Sequence, residues 1–113
     1  MNKEEVQMMA FQLIGFAGDA FSHFFQSITH AGNGRFEEAE QELAEGKKSL
    51  VSAHNAQTEL LAEEAEGKEM EYSILMVHAQ DHLNSAIMYE RLSAEFLKLY
   101  RELYALKGNL THE

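Results

Sequence analysis

At 113 residues the chain is long enough for one domain with a real core and too short for two. It has no cysteine, which excludes disulfides, thiolate metal sites and cysteine nucleophiles and fits a reducing compartment. Its 19 acidic against 9 basic side chains, a formal charge of −10, argue against nucleic acid as a partner and against an anionic membrane surface.

The opening Met1-Asn2-Lys3-Glu4-Glu5 lacks an apolar signal core. No segment approaches the roughly 18 apolar residues of a membrane span, so a cytoplasmic protein is expected. Two glycine-bearing breaks, Ala31-Gly32-Asn33-Gly34 and Glu66-Gly67-Lys68, divide the single domain 1–113 into three helical segments, about 3–32, 35–67 and 71–107. Asn2 followed by Glu5 reads as a capping box opening the first. No valine- or threonine-rich alternating run suggests a strand.

The first helix carries one apolar seam at Phe11, Ile14, Gly18, Phe21, Phe25 and Ile28, with Met9, Leu13, Phe16 and Ala20 beside it. The second is thinner, with Phe36, Ala39, Leu43, Leu50 and Leu61. The third repeats apolar positions from Leu75 through Ala79, His82, Ala86, Tyr89, Ser93, Phe96 and Tyr100 to Leu103. A parallel row on it runs through Ile74, His78, Asp81, Ser85, Met88, Leu92 and Leu99. Short loops make neighbouring helices antiparallel, so the expected fold is an all-α, up-down-up three-helix bundle. Each helix of such a bundle needs one stripe. The first and third have two, and the surplus faces predict self-association.

If the second turn centres near residue 69, Gln57 faces Asp81 at nearly the height of His82. The second helix interrupts its own seam there with His54, Asn55, Gln57 and Thr58. Polar groups of two helices are thereby expected to converge at one level.

The run His78-Ala79-Gln80-Asp81-His82-Leu83 carries the chemistry. Two imidazoles four residues apart share a helix face, and a carboxylate three residues after the first joins them. A neutral imidazole has a lone pair free to accept an electrophile such as a phosphoryl group, with His82 and Gln80 as hydrogen-bonding neighbours. No Arg or Lys lies between Lys68 and Arg91. A site that stores phosphate recruits a cation, whereas a relay gains nothing by holding its cargo tightly.

Two other readings exist. His-x-x-Asp-His has the spacing of an inverted zinc motif, and the 19 Asp and Glu could supply an acidic third ligand. The carboxylate is one methylene short, however, and the chain is small for a protease with a substrate cleft. Alternatively the polar groups form a buried layer that fixes register in a structural or adaptor helical oligomer. Asp81 needs a cation or a proton on any reading, and a cation at a subunit axis is preferred. His23, His30 and His112 are expected at the surface, and His54 either in the core or beside the site. The methionines and aromatics fit packing, with no organic cofactor implied.

Ala17-Gly18-Asp19-Ala20, Asn33-Gly34-Arg35-Phe36, Ala53-His54-Asn55-Ala56-Gln57-Thr58 and the run from His78 to Leu83 occur in this order across nearly the whole chain. Together they resemble the enzyme IIA component of the lactose/cellobiose class of the sugar phosphotransferase system. The resemblance implies a homotrimer of three-helix protomers. It implies a relay in which phospho-HPr gives phosphate to a histidine, which passes it to a cysteine of enzyme IIB while the membrane enzyme IIC imports a β-linked disaccharide. By position, His78 matches the phosphorylated histidine, reacting at Nε2, and His82 the second active-site histidine. Gln80 matches the adjacent amide, and Asp81 the aspartate that gathers a divalent cation, typically magnesium, on the trimer axis. Leu83-Asn84 departs from the family's usual Leu-Met and sets a polar group near the site. A histidine phosphotransfer domain of two-component signalling fits less well, because its lysine and glycine soon after the histidine are absent.

Overall fold

The computed structural model describes residues 1–111 and consists of three helices, α1 (Lys3–Gly32), α2 (Phe36–Ala65) and α3 (Ile74–Thr111). His112 lies outside the described residues. The helices stack as a rod of 67 × 20 × 19 Å, with α1 packed along both others and α2 and α3 meeting more sparsely. Among the described residues every regular element is helical, and no helix is long and apolar enough to cross a membrane.

Each boundary has a local cause. The Asn2 side chain accepts the Glu5 N–H at 2.9 Å, satisfying one of the donors that α1 leaves unpaired, and Glu4 and Glu5 complement its positive end. α1 stops at Asn33, and Gly34 turns the chain with φ +77, a left-handed conformation that glycine adopts without strain. Gly34 is also covered by the Tyr104 ring, and the Tyr104 hydroxyl donates to the Gly32 carbonyl at 3.1 Å. α3 begins at Ile74, later than the periodicity suggests, because Ser73 caps it. The Ser73 hydroxyl receives the Met76 N–H at 3.4 Å and the Ser73 carbonyl receives the Val77 N–H at 3.1 Å.

The face α1 turns inward takes Leu13 and Ala20 from the second seam read from the sequence, but leaves out its Phe16 and the aromatics of the first seam. Its buried stripe is Val6, Ala10, Leu13, Ala17, Ala20, Phe24, Ser27 and Ala31, stepping by four and three. α2 answers with Ala39, Gly46, Leu50, Ala53, Ala56 and Leu60, so Leu60 takes the place expected for Leu61. From α3 come Ala79, Leu83, Ala86, Ser93 and Leu97, and Leu97 replaces Phe96 at the inward position. Small side chains let helix axes approach toward the lower end of the roughly 8–10 Å range, and close approach is why alanine wins the interior here. Phe24, fully buried, seats against Gly46, and burial of such a ring contributes about 1.5–3 kcal/mol. The two buried hydroxyls are satisfied: Ser27 donates to the Ala39 carbonyl at 2.7 Å and Ser93 to the Phe24 carbonyl at 3.0 Å.

The displaced aromatics lie outside. Phe11 is 63 % exposed and Phe25 55 %, and on α3 Met88 is 58 % and Leu99 50 % exposed. Such a run of large apolar side chains far exceeds the scattered exposure usual for a lone soluble chain.

Candidate functional site

α3 turns by about 100° per residue, which sorts the motif residues by face. Ala79, Leu83 and Ala86 point into the bundle. Asp81 lies nearly opposite them and is exposed, about two turns into α3 on the outward row that contains Ile74, Met88, Leu92 and Leu99. His82 occupies the flank nearer α1, with His78 one turn before it on the same side of the helix, and Gln80 the flank nearer α2.

His78 is exposed and His82 half-buried, their ring centres 4.3 Å apart and tilted by 54°. Spacing by four residues on one helix sets this pair. Beside it, a recess of about 310 Å³ opens between α1 and α3, lined by Ala17, Gly18, Phe21, Asp81, His82 and Ser85. Phe21 forms its wall and is held by an edge-on contact with Tyr89, ring centres 4.5 Å apart. A Cβ added at Gly18 would meet nothing within 4 Å, so the glycine leaves this side open. The rows of the sequence contained Gly18, Phe21 and Ser85, but only the packing of α1 on α3 brings them to the histidines.

Gln80 does not join this recess. Its amide is half-buried against α2, where the Gln80 N–H donates to the Gln57 carbonyl oxygen at 2.7 Å and the Gln57 N–H donates to the Gln80 oxygen at 2.7 Å. The Gln80 nitrogen also lies 3.7 Å from Met76 Sδ, a weak acceptor. Polar groups of α2 and α3 therefore do converge, but Gln57 meets Gln80 rather than Asp81. A one-residue step on α3 is a rotation of about 100°, enough to change flank.

The other histidines correct expectation. His54 is exposed, contributing neither to the core nor to the recess. His23 is half-buried rather than on the open surface, with Nδ1 bonded to Glu42 and Nε2 3.8 Å from Asp19. His30 is half-buried as well.

Among the described residues no cationic nitrogen lies within ion-pair range of Asp81. No three His, Asp or Glu side chains of one protomer gather as a metal site among them. A single exposed carboxylate suits a hard cation only where copies bring several together, so the donor set fits a shared oxygen-ligand site and not a cation held by one chain.

Residues 8–101 match the family model described as the PTS system, Lactose/Cellobiose specific IIA subunit. The chain is 44 % identical over 101 residues to the PTS system lactose-specific EIIA component of Staphylococcus aureus (strain N315), covering 89 % of this chain and 98 % of that relative. Among solved structures it is similar to the PTS cellobiose specific enzyme IIA from Bacillus anthracis, with TM-score 0.88 and 39 % identity over 93 % of this chain and 94 % of that one. The IIA(Chitobiose)–HPr complex of the N,N'-diacetylchitobiose system aligns with TM-score 0.74 and 30 % identity, over 92 % and 98 % of the two chains.

Proposed function

Because the chain belongs to the lactose/cellobiose-specific IIA subunit family of the phosphotransferase system, we propose that it relays phosphate through His78, from phospho-HPr to a cysteine of enzyme IIB. The observation that carries this is an exposed imidazole, His78, with a second imidazole 4.3 Å away between ring centres at the rim of an open recess. The complex of a structural relative with HPr supports the donor. The sugar served, through the membrane enzyme IIC, is a β-linked disaccharide such as lactose, cellobiose or chitobiose, and the relay works from the cytoplasm.

The Nε2 lone pair of neutral His78 attacks phosphorus as the donor's P–N bond breaks in line, its electron pair returning to the donor ring. The second step mirrors the first: a thiolate sulfur of enzyme IIB attacks, and the bond to Nε2 breaks. The side-chain N–H of His82 on the same copy, and that of Gln80 from a neighbouring copy in the assembly described next, would donate to the phosphoryl oxygens as charge shifts. No lysine or arginine is needed, and a relay without one releases its cargo readily.

The outward row of α3 is the natural axis of a homotrimer, because it is a long apolar face interrupted by Asp81. In a cyclic assembly one flank of each α3 meets the opposite flank of the next. The Gln80 side of one copy thereby faces the His78 side of its neighbour. In such an assembly the Asp81 carboxylates of the three copies would hold a divalent cation, magnesium by its preference for oxygen ligands, and its charge would offset their mutual repulsion.

Intact mass after incubation with enzyme I, HPr and phosphoenolpyruvate tests the assignment. One acid-labile phosphoryl group on the wild type and none on His78→Ala is the expected result. Retained labelling of that variant would remove His78 from its role, and an unlabelled wild type would leave a structural helical oligomer.

A further inference from the structure

We propose that Gln57, on α2, is a positioning residue for the phosphoryl transfer, acting by fixing the amide of Gln80. The inference rests on the relay reading of His78 and adds a residue outside the His78–Leu83 run. An unrestrained glutamine amide turns freely about its last bond, exchanging donor and acceptor. Ordering it costs side-chain entropy. The two 2.7 Å hydrogen bonds between Gln57 and Gln80 fix that plane before any substrate arrives. If one amide turned alone, N–H would face N–H and oxygen would face oxygen, so each holds the other.

The pair consumes one N–H and one oxygen lone pair on each amide, leaving each a second N–H. Among the described residues the Gln80 nitrogen otherwise meets only Met76 Sδ at 3.7 Å, and a thioether yields readily to an anionic oxygen. In the proposed cyclic assembly the Gln80 flank faces the His78 side of the neighbouring copy, so this donor can exchange Met76 Sδ for a phosphoryl oxygen carried there. Location supports the assignment. α2 and α3 pack sparsely, and among the described residues the only other side-chain hydrogen bond between them is Arg101 to Glu40, far along the rod.

A double-mutant cycle on the full chain tests this, with the rate of phosphoryl acceptance from phospho-HPr as the readout. Gln57→Met keeps the bulk of the side chain and removes both hydrogen bonds, and Gln57→Ala does so without a side chain to repack. Either is expected to slow the maximal rate about fivefold to tenfold, the size of one net hydrogen bond, with KM for phospho-HPr and the melting temperature nearly unchanged. In a Gln80→Ala background the same substitution should cost nothing further. Independent, multiplying effects would overturn the proposal, as would a wild-type rate in both variants or a fall in melting temperature with no change in rate. An unlabelled wild type would instead overturn the relay reading itself.

Discussion

Phe24 fills the space that a side chain at position 46 would need: a Cβ built on Gly46 would fall 2.5 Å from Phe24 Cε1. The ring is fully buried and the glycine is helical, so neither can retreat toward solvent. α1 and α2 approach at this point as closely as a missing side chain permits.

Gly46→Ala should therefore destabilise the protein. Helix propensity favours alanine by about 1 kcal/mol, but overpacking a filled core costs about 1–3 kcal/mol, and the second effect wins because the obstacle is a ring in a sealed interior. The expected outcome is a melting temperature lower by several degrees at fixed protein concentration, with His78 still phosphorylated. A rise in melting temperature would show that Phe24 has room to move.

His82→Ala should slow acceptance without abolishing it. Loss of one charge-assisted hydrogen bond, worth about 1.5–3 kcal/mol, corresponds to about tenfold to a hundredfold in rate. Single-turnover labelling from phospho-HPr measures it. Complete loss of labelling, equal to that of His78→Ala, would make His82 the acceptor or an indispensable part of it.

Asp81→Leu should free the proposed trimer from the cation proposed at Asp81. Two carboxylates 4 Å apart repel by about 4 kcal/mol at an effective dielectric near 20, and leucine removes that repulsion while extending the apolar row. Sedimentation with and without a chelator is the measurement: the wild type should shift toward smaller species when the cation is withdrawn, and the variant should stay trimeric. If Asp81→Leu dissociates regardless, the carboxylate bridge itself is indispensable to the trimer.

The helices, their order and the position of the turns were legible because glycine breaks and a repeat of three and four leave few alternatives. Which stripe faces inward was not. Hydrophobicity ranks phenylalanine far above alanine, so the row through Phe11, Phe21 and Phe25 outweighs the one through Ala10, Ala17 and Ala20. The geometry of two helices in contact reverses that order, because a close crossing admits only small side chains. The histidine pair was legible for a simpler reason: residues four apart on a helix always meet. Gln57 was placed at the right height and against the wrong neighbour, since height follows from counting along a hairpin while facing depends on rotation. His23 was misjudged because its partner, Glu42, is on another helix and no local spacing announces the pair.

The alanine-lined interior has a further consequence. An alanine withdraws much less apolar area from water than a phenylalanine, so a solitary copy is held together by the thinner part of its hydrophobic inventory. In the proposed trimer the richer part is buried against another copy, and folding and association then draw on the same reserve. Dilution should accordingly act on this protein as heat does, lowering its melting point as copies grow scarce. In the cell, the rate of synthesis would set both how many phosphate carriers exist and how durable each one is.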